Sequence, residues 1–396
     1  MTNTKYKLLF ITHSYAMTGG AEDEFERLLK YFSSFPDKYE VHGMFPKGER
    51  SLLYSAYCSK FGYYKYGHLP VTYDGIIPYI KYCLKSIIQI FQIVKFAYSE
   101  KYDLALINVV VLLWPVIALK ILLIKVVVFV REDIYPVWLR HTIYKLFGWL
   151  IDYFIPNSDT KLKDIRLTTG KQKCSRIYPA IEEIIDPDLS GLEDKLGKEN
   201  FNRLITKDVF RFINPARILK KKNQLLILRA LNEIKTSSTG KIPQIVFLGY
   251  FDPKDEYTGI ILDYIDEKEL KEHVIFLGEV ERKYLYKVYS LINSVVISSL
   301  SEGMPLVMVE AFRFGKPFIS TKVGGIPEVV TNQVSGILVD FDPTDLSKAM
   351  TELMGDSVLY ETIKKNAYNI YLRNFKLDQI LKNTESVIVD LLNGKN

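Results

Sequence analysis

The most constraining stretch of the chain is 294–330, where apolar runs and glycine breaks are spaced as a strand, loop, helix and second strand. Residues 294–298 (SVVIS) place β-branched side chains at three of five positions, as a buried strand does. A polar loop over 300–304 follows, and Pro305 opens a helix at the first position, where proline's missing N–H costs little. Leu306, Val307, Val309 and Phe312 fall largely on one side of that helix, and Gly315 ends it. A second strand is expected at 317–321, and Gly324-Gly325-Ile326-Pro327-Glu328 opens another helix. The polar loop therefore sits at the carboxyl end of its strand, where ligands bind in open α/β sheets.

Two carboxylates mark this unit. Glu302 stands just before the helix, beside the backbone N–H groups of Gly303, Met304 and Leu306 and the positive end of the helix dipole. Glu310 follows eight residues later, about 80° round the helix at about 100° per residue. Both can address one extended ligand. Taken alone, such a pair is more often a helix cap and a solvated charge.

The same alternation runs through the rest of the chain. Strands are expected at 7–12, within 37–50, and at 103–109, 126–130, 151–157 and 176–180. Further strands are expected at 210–214, 244–249, 274–278 and 337–340. Helices fall near Ala21 and over 76–98, 224–235 and 284–291, then from Asp345 onward to a last helix at 377–392. Gly19-Gly20 stands at the first strand-to-helix turn, where exposed N–H groups suit a phosphate, although a plain tight turn explains it as well. His13 in the same loop either touches substrate or is structural. Arg217, Lys220, Lys221 and Lys222 enter a helix at Gln224. That grouping can clamp a diphosphate or form a solvated basic turn. After 126–130, Glu132 either orients an acceptor hydroxyl or pairs with Arg131 as a surface salt bridge.

A length of 396 residues accommodates two domains, and 48% hydrophobic with 25% charged residues is an ordinary globular balance. Cys58, Cys83 and Cys174 are scattered, which argues against a disulfide framework or a C-x-x-C metal site and for a reducing cytosol. No secretory signal is read at the start, and Asn108, Pro115, Lys120 and Lys125 break the apolar stretch 104–130 short of a membrane span. Residues 1–180 hold 24 basic and 15 acidic residues, against 28 and 31 in the remainder. A basic, aromatic-rich first half fits an anionic acceptor or membrane surface. Within it the helix at 76–98, with Lys81, Lys85 and Lys95, reads as membrane-lying or as an ordinary surface helix. No nucleic-acid-binding signature accompanies the charge, so no nucleic-acid partner is expected.

The central stretch resembles, nearly position for position, the E-x7-E segment of retaining glycosyltransferases of family 4, also called glycosyl transferases group 1. Ser299, Glu302, Gly303, Glu310, Ala311, Gly315, Pro317, Gly324, Gly325 and Glu328 carry the match. Gly19, Gly20 and Glu22 match the family's G-G-x-E, and Arg217 and Lys222 keep the separation of its G-R-L-x-x-x-K-G, with Ala216 and Asn223 in place of the glycines. Where many members have His-Asp, this chain has Glu132-Asp133. The resemblance is dense over 210–342 and thin before it.

The resemblance implies an α/β fold of GT-B architecture, two Rossmann-like domains facing each other across a deep cleft. The boundaries expected are 1–183 for an acceptor-binding domain, 184–206 for a linker and 207–375 for a nucleotide-sugar-binding domain, with 376–396 crossing back as a helix. It further implies a metal-independent, retaining hexosyltransferase with no cofactor, using a nucleoside-diphosphate sugar and a glycan or lipid-linked acceptor. Such a protein would be cytoplasmic, peripheral on the membrane, and active in cell-surface polysaccharide synthesis. Arg217, Lys222 and Glu302 would act in catalysis. Gly19, Gly20, Gly303, Met304, Pro305, Leu306 and Glu310 would bind donor, and His13 and Glu132 would face acceptor. A nucleotide-sugar epimerase of the same architecture and a non-catalytic sugar-nucleotide-binding subunit are the alternatives.

Overall fold

The computed structural model describes residues 5–13, 20–64, 76–132, 134, 136–170, 173–182, 189–237 and 240–394. The chain divides into two compact units, Met1–Ala180 with Asp378–Asn396, and Ile181–Leu377.

In the first unit the order along the chain is β1 (Tyr6–Ile11), α1 (Gly20–Ser33), β2 (Tyr39–Pro46), α2 (Glu49–Ser55), β3 (Lys60–Tyr64) and α3 (Ile76–Ala97). Then come β4 (Leu104–Ile107), α4 (Leu113–Ile121), β5 (Val126–Val130), α5 (Val137–Phe147), β6 (Tyr153–Pro156) and α6 (Asp159–Thr169). The strands form a parallel sheet in the order β3-β2-β1-β4-β5-β6. Burial of β4 and β5 along their whole length explains their unbroken apolar sequences, because helices cover both faces of a parallel sheet. Alternate residues feed two cores. Leu9, Ile11, Val126 and Val128 pack under α3, α4 and α5, while Leu8, Phe10, Val127 and Phe129 pack under α1.

Two expectations are corrected here. The edge strand β3 was not anticipated. Residues 176–180 are no strand: β6 makes only an isolated bridge from Phe154 to Cys174, and Pro179 has no N–H to continue a ladder.

The second unit opens with α7 (Leu192–Leu196) and α8 (Lys198–Ile205), then runs β7 (Arg211–Pro215), α9 (Gln224–Ser237), β8 (Gln244–Leu248), α10 (Glu256–Glu267) and β9 (Val274–Gly278). It continues through α11 (Arg282–Ser290), β10 (Ser294–Ile297), α12 (Leu306–Arg313), β11 (Phe318–Thr321), α13 (Ile326–Val329), β12 (Ile337–Val339), α14 (Pro343–Gly355) and α15 (Ser357–Asn374). Its sheet is also parallel, ordered β12-β11-β10-β7-β8-β9. In each sheet the chain builds outward on one side and then returns to the other. The reversal falls between β1 and β4 in the first sheet and between β7 and β10 in the second, and it opens a crevice at the carboxyl ends of those strands.

The last helix, α16 (Leu377–Leu392), lies almost wholly in the first unit. Ile388 and Leu391 join the core beneath α1. Glu385 fastens the contact by accepting from Tyr31, Tyr39 and Lys38, each at 2.7 Å. Burial opposes ionisation of Glu385, but these three donors outweigh it and hold the carboxyl below its ordinary range.

Candidate functional site

The crevice of the second unit is built from two loops pinned to each other. Beyond β7 the chain passes Arg217, makes a tight 3-10 turn over Lys220–Lys222 and enters α9 through Asn223. Asn223 takes φ 52°, the left-handed region that Asn adopts more readily than bulkier residues. Gly249 approaches the same loop so closely that an added Cβ would stand 2.6 Å from the Ala216 carbonyl oxygen. The basic turn is tied to the loop after β10 at two points. Leu300 N donates to Lys221 O at 2.9 Å, and Ser298 Oγ donates to Lys222 O at 2.9 Å. Below them, buried Asn214 spans from β7 to the carbonyl of Val296 at 2.8 Å.

On this base Lys222 Nζ reaches Glu302 Oε1 at 2.6 Å, and Ser299 Oγ donates to the same oxygen at 2.6 Å. Lys222 and Glu302 keep 27% and 11% of their side-chain surface exposed. The ammonium is therefore partly open at a helix entrance, paired with a nearly covered carboxylate. Arg217 is exposed one turn earlier, and its carbonyl is held by Gln224 Nε2 at 2.8 Å. The loop 302–305 is backed by a second layer. Gly325 N donates to Gly303 O at 2.7 Å, and Gly324, at φ 57°, lies so close that a Cβ there would overlap the Glu302 carbonyl oxygen.

Pro305 is the N-cap of α12, with φ −72° and ψ 130°, and not its first helical residue as expected. Met304 is buried, while Gly303, Pro305 and Leu306 are half-buried around the loop. Glu310 is buried on α12 and accepts from Tyr289 Oη of α11 at 3.1 Å. The structure thus brings Lys222, Glu302 and Ser299 into direct contact and holds Glu310 in a separate one. Tyr289 and Ser298 were not anticipated, because neither a tyrosine on an amphipathic helix nor a strand-end serine is distinguishable from packing in the sequence.

In the first unit the strand ends gather a polar cluster. Asn108, after β4, donates to Thr12 Oγ1 at 3.0 Å and accepts from Arg131. Arg131 Nε pairs with Glu24 of α1 at 2.6 Å. This corrects the simple reading of an Arg131–Glu132 salt bridge. Glu132 is half-buried as a residue, yet both carboxylate oxygens are covered and neither completes a hydrogen bond among the described residues. Burial pushes its carboxyl up to about 7, against the opposing pull of nearby backbone amides, Lys161 and Arg131. Lys161 Nζ is held by Arg131 O at 2.7 Å and Asn157 Oδ1 at 3.1 Å. His13 lies 3.5 Å from Glu22 across the start of α1. Gly20 is the exposed first residue of α1, and Gly19 lies outside the described residues. Among the described residues no cluster of His, Cys, Asp and Glu is arranged to hold a metal ion.

Two parallel sheets, each reversing its strand order once, define an open α/β class of protein, in which ligands bind at the carboxyl ends of the strands. Residues 197–370 match the family described as glycosyl transferases group 1. An N-acetyl-alpha-D-glucosaminyl L-malate synthase of Bacillus anthracis is 28% identical over 140 residues, 34% of this chain and 36% of the relative. An uncharacterised glycosyltransferase of Methanocaldococcus jannaschii is 28% identical over 193 residues, 48% of each chain. The chain thus spans less than half the length of these curated relatives. Anabaena HepE, solved with UDP, superposes with a TM-score of 0.76 at 20% identity, covering 97% of this chain and all of that one. That likeness shows the fold, GT-B in both cases.

Proposed function

We propose that the chain is a retaining glycosyltransferase that moves a hexosyl group from a nucleoside-diphosphate sugar to an acceptor hydroxyl. The observation that carries this reading is the Lys222–Glu302–Ser299 cluster at the reversal between β7 and β10. In the reaction the bond from the anomeric carbon to the diphosphate oxygen breaks, and a bond to the acceptor oxygen forms on the same face. The acceptor's proton passes to the leaving diphosphate. Lys222 and Arg217 neutralise the charge that grows on that diphosphate, the kind of stabilisation that is usually the largest catalytic contribution. Glu302 and the N–H groups of 303–306 hold the sugar hydroxyls, and Glu310 holds the ribose. HepE was solved with UDP-glucose as well as UDP, which supports a nucleotide-sugar donor here.

The first unit receives the acceptor, with His13 and Glu132 beside it. A glycan or lipid-linked acceptor suits the basic surface of this unit, and growth of a cell-surface polysaccharide at the inner face of a membrane is the setting proposed. The test is a donor screen of the purified chain against UDP-, GDP-, ADP- and TDP-sugars, reading thermal stabilisation and released nucleotide. One base should stabilise the protein and turn over slowly, and Arg217→Ala should abolish both effects. A folded protein that binds none of these donors would refute the reading.

A further inference from the structure

The outer helices of the first unit carry a feature that sugar transfer does not use. α3, α4 and α5 lie side by side on one face of the sheet, with α6 and its Asp159 and Asp164 packed beyond α5: α3 packs on α4, and α4 on the turn Gly148–Leu150 that continues α5. Residues 76–97, 113–121 and 137–150 contain no Asp or Glu, yet they hold six Lys and Arg. On the opposite face α1 alone carries Glu22, Asp23, Glu24 and Glu26. A solvated helix layer ordinarily mixes both signs.

Large apolar side chains project from the carboxylate-free layer. Trp138 and Trp149 are 57% and 72% exposed, Leu146 is 59%, and Leu123 beyond α4 is 90%. Trp149 follows Trp138 by eleven positions, in the 3-10 turn Gly148–Leu150 that continues α5. Exposed Lys145 lies two turns after Trp138 on the same stripe of α5. Phe91 of α3 is 69% exposed. Of three tryptophans in the chain, only Trp114 packs against the core. The nearby carboxylates are engaged: Asp152 with Lys120, and Asp164 with Arg140 and His141 at 2.7 Å each. Lys95 and Lys145 have no carboxylate partner among the described residues. No helix of the described residues is long and apolar enough to cross a membrane.

We infer that this layer docks flat on an anionic lipid bilayer, with Trp138 and Trp149 in the headgroup region and Lys95 and Lys145 against lipid phosphates. Tryptophan is favoured at that depth because its ring is apolar and its N–H stays wet. Basic residues on the same face add attraction that salt weakens. The single sign of charge also argues for lipid over a second copy of the chain, which would oppose like charges across a symmetric interface. The inference rests on the surface of the first unit alone and deepens the membrane setting proposed above.

The test is co-sedimentation of the full chain with vesicles of pure phosphatidylcholine or with 30% phosphatidylglycerol, alongside tryptophan quenching by brominated lipid. Binding at least tenfold stronger to the anionic vesicles, weakened by 0.5 M salt and reduced at least fivefold in Trp138→Ala/Trp149→Ala and in Lys145→Glu, is expected. Equal binding to both vesicle types, or unchanged binding by the double variant, overturns the inference. So does a dimer in light scattering that the double variant dissolves, since the face would then be a self-interface. Donor hydrolysis by the double variant in vesicle-free buffer should match the wild type. Loss of vesicle binding therefore leaves the transferase reading standing, and absence of donor turnover leaves the docking face standing.

Discussion

Tyr289 donates its phenol to Oε2 of Glu310 at 3.1 Å, and the tyrosine ring is fully buried. Burial first, and the charge of Glu310 second, raise the phenol's pKa well above its ordinary value, so Tyr289 is a permanent donor. The second carboxylate of the E-x7-E segment is thereby oriented from behind by a residue of the preceding helix. Tyr289→Phe should cost about 1–3 kcal/mol, because a buried carboxylate loses a partner. Nucleotide affinity should fall several-fold in the same protein. Urea unfolding and nucleotide titration check the two effects, and an unchanged affinity would confine Tyr289 to packing.

Lys222 and Glu302 are expected to behave as one unit. Lys222→Ala should lower donor turnover by roughly 10²–10³, the scale seen when one preorganised charge-stabilising donor is removed. It also leaves Glu302, with 11% of its side chain exposed, supported among the described residues by Ser299 alone. Stability should drop by about 1–3 kcal/mol and recover in part when Glu302→Gln is added. A double-mutant cycle in urea measures the coupling, and additive losses would mean that the two residues act separately.

Much of this arrangement was legible because β10, α12 and β11 combine strong apolar periodicity with glycines at fixed breaks. Lys222 could be chosen over Lys221 by motif spacing, and it is Lys222 that reaches Glu302. Other parts depend on distant chain segments. β3 was missed because its sequence, KFGYY, has an interior glycine and is exposed at most positions, as an edge strand allows. Residues 176–180 read as a strand by composition, but pairing is a property of neighbours. Adjacent Arg131 and Glu132 suggested an ion pair, yet successive residues in extended chain point to opposite sides. Arg131 turns to Glu24, and Glu132 is left in a covered pocket.

The glycines separate into those the site needs and those it does not. At Gly324 a side chain meets both a positive φ and the Glu302 carbonyl, so Gly324→Ala should destabilise by more than about 2 kcal/mol and abolish nucleotide binding. Gly259 lies inside α10 with nothing within 4 Å of an added Cβ. Gly259→Ala should stabilise by roughly 0.5–1 kcal/mol through helix propensity and a less flexible unfolded chain. Thermal unfolding of both variants gives opposite signs if the loop packing is as described.

Glu132 makes stability depend on pH in a direction opposite to most carboxylates. Its carboxyl lies at about 7 in the folded chain against an ordinary 4.5, so between these values the folded state holds a proton that the unfolded state has released. Its contribution to stability is therefore lost as pH rises from about 4.5 to 7, and above that the charged form carries the full penalty, on the order of 3 kcal/mol. Glu132→Gln keeps the shape and removes the titration. Relative to wild type it should be more stable at pH 8 by roughly that amount and nearly equal at pH 4.5. Urea unfolding of both proteins at the two pH values measures the difference, which cancels every other titrating group, Glu24 included. A difference that does not change with pH would mean that the Glu132 carboxyl is solvated in the folded chain.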